Sequence, residues 1–254
     1  LFRSGQGVYL YKVVERGEYD ITKPEKYIPP ILQYEKHLSL RDIEYQNKYS
    51  FPGLVASYYN KQYFKRLKNG GTNYDIFTLL KMLEYFVDAQ SIECIFLQPT
   101  DPLRYSSSPL IGNSNELHNF HHDIYFKIKN KEINEIVGYP ILAKKQYELF
   151  ETHLEFLYKR ANIPSYYIPW QTCFSDIIPK EKMIPLNYND KVYWSMESLM
   201  KKDKLTISDD LEFCLDMHIS KNCHKIIADS IIKCFPNGDF TKRIYIPNIN
   251  KNII

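Results

Sequence analysis

Apolar side chains recur along this chain in two spacings, and each predicts a different element. Across 75–88, Ile76, Leu79, Leu80, Leu83, Phe86 and Val87 step by three and four, which gathers them on one helix face. Asp75 stands where a capping carboxylate would take up the first unpaired amides. The same spacing predicts a helix over 145–160, with Phe150, His153, Leu154 and Leu157 on one side, closed by Asn162-Ile163-Pro164. A third helix is predicted over 221–235, with Cys223, Ile226, Ile227, Ile231 and Cys234 inward and Ser220 as its N-cap.

Short runs alternate with these helices. The run 92–97 (IECIFL) is apolar on both faces and closes at Gln98-Pro99, which predicts a central strand of a parallel sheet. SYYIPW over 165–170 predicts the next strand. The segment 43–49 (IEYQNKY) mixes β-formers with polar residues and ends in Ser50-Phe51-Pro52-Gly53, which reads as a strand followed by a turn. The stretch 105–115 is rich in Ser, Asn and Gly and is predicted loop, and 171–205 is predicted irregular. The order strand, helix, strand, helix, strand, loop, helix predicts one α/β domain over 1–254, with a doubly wound, mainly parallel sheet flanked by helices. Ligands of such sheets bind beyond the carboxyl ends of the strands, here 51–53, 98–104, 170–175 and the loop before the last helix.

Composition narrows the function classes. Apolar residues at 44% and charged residues at 25% are ordinary globular usage, which argues against disorder. The 33 basic and 30 acidic side chains are mixed along the chain, so no nucleic-acid partner is predicted. The nearest approach to a basic stripe, KQYFKRLK over 61–68, reads as a solvated helix face. The five cysteines, Cys94, Cys173, Cys214, Cys223 and Cys234, are odd in number and contain no CxxC pair. That argues against a disulfide framework or a structural zinc site, and predicts thiols in a reducing, cytoplasmic compartment. No apolar run approaches the roughly 18 residues of a membrane span, and no membrane partner is predicted.

The sharpest chemical feature is Asp216-Met217-His218-Ile219-Ser220, followed by Lys221-Asn222-Cys223-His224-Lys225-Ile226-Ile227-Ala228. A carboxylate beside an imidazole is the base-and-orienter half of a nucleophilic triad: the His takes a proton from a hydroxyl, and the Asp fixes its tautomer. The stretch resembles the last block of the SGNH (GDSL-like) hydrolases, whose fold is flavodoxin-like. There an Asp and a His two or three residues apart precede a polar residue and an Ile-Ala pair. The resemblance implies His218 as general base and Asp216 as its partner. Ile219 stands where Pro is common, and Cys223 where Gly is usual.

Two more segments fit that family in order. Ser50-Phe51-Pro52-Gly53 resembles its second block, which implies that the Gly53 N–H serves an oxyanion. Ile95-Phe96-Leu97-Gln98-Pro99-Thr100-Asp101 resembles its third block, which implies Thr100 near the same oxyanion. The family's Asn is absent there, with Asn113 and Asn115 in the following loop as substitutes. The family's nucleophile block, Gly-Asp-Ser, is also absent. Ser4 matches its position, with Arg3 in place of Asp and no apolar strand before it. Either the first strand and nucleophile lie upstream of Leu1, or the motif has degenerated.

The resemblance implies a serine ester hydrolase, or an acyl-transferring enzyme, acting on a small-molecule or glycan ester without metal or organic cofactor. The competing reading is a catalytically inactive module of the same fold, favoured by Arg3, the missing Asn and Cys223. A nucleotide-binding α/β protein would need a glycine-rich phosphate loop, and Gly70-Gly71 lacks the spacing. His118 and His122 share the i, i+4 spacing of zinc ligands, but HExxH is absent and no metal is predicted. Trp170 and Trp194 read as packing residues, Arg104 as a local ion-pair partner, and Glu148, Glu151 and Glu155 as the wet face of their helix.

Overall fold

The computed structural model describes residues 44, 48–63, 73–86, 92–102, 138–203, 205, 219–242 and 244. In chain order the elements are α1 (Phe51–Tyr59), α2 (Asn73–Phe86), β1 (Ile95–Leu97), α3 (Gly138–Ala161), β2 (Ser165–Tyr167), α4 (Thr172–Ser175), a 3-10 turn (Lys180–Lys182), β3 (Leu186–Tyr188), β4 (Lys191–Tyr193), α5 (Met196–Asp203) and α6 (Lys221–Cys234). This is a mixed α/β chain. It divides into two compact units, Leu1–Leu67 with Pro185–Asp239, and Lys68–Ile184 with Phe240–Ile254.

In the first unit, α6 forms where its spacing predicts. The Ser220 hydroxyl accepts the Cys223 N–H at 3.1 Å and starts the helix. Cys223, His224, Ile226, Ile227 and Ile231 are buried on the face that packs against α1 and β3. Helix α1 starts at Ser50, with Pro52 in the first turn, where a missing N–H costs nothing. It ends at Asn60, whose φ of 52° is the left-handed stop that Asn tolerates. Strands β3 and β4 pair antiparallel, Leu186 with Tyr193 and Tyr188 with Lys191. Their loop is Asn189-Asp190, with φ of 49° and 57°, the two positive values that a two-residue type I′ hairpin turn demands.

In the second unit, β1 and β2 pair in parallel, with Ile95, Phe96 and Leu97 opposite Ser165, Tyr166 and Tyr167. The pairing continues past the strands, as Ile168 N–H donates to Leu97 O at 2.8 Å and Trp170 N–H to Pro99 O at 2.9 Å. Tyr167 O accepts from Ile184 N–H, so a third segment lies along β2. Helices α2 and α3 pack together, and Phe150, Leu154 and Leu157 are buried as their spacing predicts. Between them Glu84 pairs with His153 Nδ1, and Arg160 donates to Glu84 O. The sheets among the described residues are two-stranded, one parallel and one antiparallel.

Several expectations need correction. Within the predicted strand 43–49, Glu44, Lys48 and Tyr49 are helical. The segment lacks a strict period of two, and Ser50 with Pro52 is a helix start rather than a turn. Helix α2 begins at Asn73, so Asp75 lies in its first turn and does not cap it. Helix α3 begins at Gly138, well before the predicted start. Within the segment predicted irregular, 171–205, residues 172–203 carry α4, the 3-10 turn, the hairpin and α5. Residues 61–63 lie beyond the stop at Asn60 and are not helical. Glu151 is not on a wet face: its carboxylate accepts the Tyr167 hydroxyl at 2.8 Å and pairs with Lys182.

Candidate active site

One predicted site segment, 50–53, meets the start of α6 where α1 begins. The first four amides of a helix have no partner inside it. In α1, Leu54 N–H makes the first internal bond, to Ser50 O at 2.9 Å. An N-cap serine commonly takes up one of the earlier amides, but the Ser50 side chain makes no such bond. The first amide, that of Phe51, is served from a distance. Phe51 N–H donates to His224 Nδ1 at 3.1 Å, across 173 residues of sequence. The two aromatic rings stack with centroids 6.0 Å apart and planes 26° apart.

Both partners are buried, Phe51 at 3% and His224 at 0% exposure, and so is Ser50 beside them at 0%. The Ser50 hydroxyl is hydrogen-bonded to the Tyr63 phenol. Burial pushes the Tyr63 phenol up, and the bond from Ser50 offsets part of that. Gly53, the third residue of α1, lies ahead of the first internal bond of the helix and is buried. Its N–H therefore belongs to a helix start and not to a turn after a strand, which corrects the expected geometry.

An open groove of about 750 Å³ runs between α1 and α6, with Tyr49, the residue before Ser50, in its wall. Tyr49, Leu54, Tyr58 and Ile232 give it aromatic and aliphatic walls, and Lys221, Lys225 and Asp229 give it charge of both signs. The Lys221 ammonium lies 4.2 Å from the centre of the Tyr49 ring.

The second unit holds the other predicted segment. Thr100 follows β1, and Asn73 grips its backbone from the first residue of α2. Asn73 Oδ1 accepts Thr100 N–H at 2.8 Å, and Asn73 Nδ2 donates to Thr100 O at 2.9 Å. Gln146 extends the network, accepting from Asn73 Nδ2 at 2.7 Å and donating to Pro102 O at 2.9 Å. With its N–H engaged, Thr100 retains only its hydroxyl for an oxyanion.

Asp216, His218 and Ser4 lie outside the described residues, as do Asn113, Asn115, Arg104, His118 and His122. The structure thus brings the segment 50–53 against the segment 220–224, which begins two residues after His218. Ser50 and the cross-chain bond of His224 were missed in the sequence. A Ser followed by Pro within two residues, ahead of an apolar run, is a helix-start signal and marks Ser50 as special. No pattern marks His224 as the acceptor for Phe51. Trp170 and Trp194 are half-buried, in keeping with packing roles. None of the described cysteines forms a disulfide, and the Cys223 thiol is fully buried. Among the described residues no cluster of ligating side chains is placed to hold a metal, and no helix is long and apolar enough to cross a membrane.

No family model, no curated protein and no solved structure matches this chain.

Proposed function

We propose that the protein is a serine ester hydrolase or acyl-transferring enzyme of SGNH type, with His218 as general base, Asp216 as its orienting carboxylate and Ser50 as nucleophile. The observation that carries this reading is the bond from Phe51 N–H to His224 Nδ1. It ties the start of α1 to the helix start that directly follows the Asp216–His218 stretch. A nucleophile must lie within hydrogen-bond reach of its base. Ser50 is buried in the packed pair of helices that would present such a base, and its hydroxyl does not cap its own helix. Ser4, the serine suggested by position, lies outside the described residues.

In this mechanism the Ser50 oxygen attacks the acyl carbon as His218 takes its proton. Asp216 stabilises the imidazolium that forms, and His218 returns the proton to the leaving alcohol. The developing oxyanion meets the Gly53 N–H in the first turn of α1, ahead of the first internal bond of the helix, where the helix dipole favours negative charge. Thr100 is left out, because its N–H already has a partner. The groove between α1 and α6 suits a glycan-borne ester: tyrosine faces stack on sugar rings, and the lysines and Asp229 take hydroxyls. A doubly wound, mainly parallel sheet is the fold of such an enzyme, and the parallel pairing of β1 with β2 supports it.

A second reading, an inactive binding module of this fold, is favoured by the complete burial of Ser50 and by the engaged Thr100 amide. Labelling with a fluorophosphonate probe separates the two. We expect the wild-type chain to label, Ser50→Ala and His218→Ala to lose the label, and Ser4→Ala to keep it. Loss in Ser4→Ala with retention in Ser50→Ala would return the nucleophile to Ser4. No labelling of the wild type by probes of several sizes would support the inactive module.

A further inference from the structure

We infer that His224 is a positioning residue for Ser50, acting as a cap for α1 supplied by another helix. The inference rests on the reading above, in which Ser50 carries the chemistry, but its structural half stands independently. An imidazole nitrogen that accepts a hydrogen bond carries no proton. Since Nδ1 accepts Phe51 N–H, the ring is held neutral with its proton on Nε2. The ring is fully buried and stacked on Phe51, so its plane is fixed together with its acceptor. Its own backbone N–H donates to Ser220 O at 3.1 Å, which ties it to the first turn of α6.

The consequence falls on Ser50. The cap of a helix is ordinarily the side chain of the residue that precedes it, and that duty would fold the Ser50 hydroxyl back onto α1. Here Ser50 makes no such bond, Pro52 offers no second amide, and His224 holds the first amide, that of Phe51, whose nitrogen closes the peptide bond from Ser50. Ser50 keeps an extended backbone, with φ −76° and ψ 152°, while the residue after it is anchored. By anchoring the peptide that leaves Ser50, His224 fixes the serine's backbone, and with it the place from which its oxygen projects, without touching a substrate.

The test compares three substitutions in the full chain. Asparagine at 224 carries an amide oxygen close to the place of Nδ1, so His224→Asn retains the acceptor. Glutamine places its amide one bond further out, near Nε2, and leucine has no acceptor. In the wild type we expect nitrogen NMR shifts of an imidazole protonated on Nε2 alone. We expect Phe51 amide exchange to quicken about tenfold or more in His224→Gln and His224→Leu, the equivalent of one buried hydrogen bond, and to recover in His224→Asn. Fluorophosphonate labelling of Ser50 should slow and recover in the same order.

If His224→Leu does not fold, the Asn and Gln pair carries the comparison. Equal amide exchange in those two, or a proton found on Nδ1, overturns the inference. Altered exchange with unchanged labelling overturns the positioning of Ser50 while leaving the cap. A wild type that never labels counts against the proposed enzyme, and the exchange and tautomer results then still decide the cap.

Discussion

Asn73 closes a two-bond ring on the backbone of Thr100, accepting its N–H and donating to its carbonyl. This is a side chain acting as a strand neighbour. The chain leaving β1 exposes a donor and an acceptor that no further strand residue pairs, and a buried amide satisfies both. Asn73 is 2% exposed and Thr100 8%, so water cannot easily replace it. Asn73→Ala should destabilise the second unit by about 2–3 kcal/mol, the usual cost of leaving buried backbone groups unpaired. Asn73→Asp keeps the acceptor for Thr100 N–H but loses the donor that faces Thr100 O and Gln146, and should also destabilise. Urea unfolding of both variants measures this. A loss below about 0.5 kcal/mol in Asn73→Ala would mean the ring is dispensable.

The first unit should weaken in alkali through Tyr59. Its hydroxyl donates to Phe235 O at 2.5 Å, and burial first, then Tyr58 and Cys234, pushes the phenol up from 10.0 to about 12. The folded state thus holds the proton more tightly than the unfolded chain. Its contribution is complete below pH 10.0 and is lost as pH rises through about 12. Tyr59→Phe should reduce stability at neutral pH by about 0.5–1.5 kcal/mol and flatten this part of the alkaline decline. Thermal melts of wild type and variant between pH 8 and pH 12 would show the two curves converging. Parallel curves would remove Tyr59 as the cause.

Gly238 guards the same ring. Its φ is 69°, and a methyl added there would stand 3.1 Å from Tyr59 Cδ1. Gly238→Ala therefore meets both backbone strain and a ring fixed by its bond to Phe235. It should cost about 1–2 kcal/mol, with the larger share from the left-handed backbone. Combining it with Tyr59→Leu tests the split: relief of the steric part would make the double variant less destabilised than the sum of the singles.

The helices were the legible part of this chain, and the reason is periodicity. Burial of Phe150, Leu154 and Leu157 in α3, and of Cys223, Ile226, Ile227 and Ile231 in α6, follows from spacing that only a helix turns into one face. Ser220 was equally legible, since capping is local chemistry. The hairpin was missed although its signal was present. Asn189-Asp190 between LNY and KVY is a pair suited to positive φ, but three-residue strands give too little alternation to register. Tyr49 was misread because β-propensity reflects packing on a sheet, and here packing beside α6 prevails. The link from Phe51 to His224 joins residues 173 apart, and nothing local encodes it. Glu151 was misread for a similar reason: its partners Tyr167 and Lys182 come from later elements.

That hairpin can be strengthened by its own logic. Asp190 holds φ 57°, which costs a residue with a side chain and costs glycine little. Asp190→Gly creates the favoured Asn-Gly type I′ pair and should stabilise the first unit by about 0.5 kcal/mol. Asp190→Val, β-branched in the same place, should destabilise by about 1–2 kcal/mol. The ordering Gly, Asp, Val in melting temperature is the expected result, and a reversed order would show that the turn is not type I′ in solution.

Glu151 gives the last prediction, because its carboxylate joins three elements. It accepts the Tyr167 hydroxyl from β2, pairs with Lys182 from the 3-10 turn, and is hydrogen-bonded to Tyr147 one turn earlier on α3. Burial pushes both phenols up, and the negative carboxylate beside them pushes them further. Glu151→Gln keeps an acceptor for one phenol and removes the charge. It should cost about 1 kcal/mol or less, since the Lys182 pair is partly solvated at 42% and 21% exposure. Glu151→Leu leaves the Tyr167 hydroxyl without its partner in a buried position and should cost about 1–3 kcal/mol. Spectrophotometric titration separates charge from hydrogen bonding. Both variants should let the two phenols ionise at lower pH than in the wild type, while only Glu151→Leu shows the larger stability loss. If the phenols titrate unchanged in Glu151→Gln, burial alone governs them and the carboxylate is a structural acceptor only.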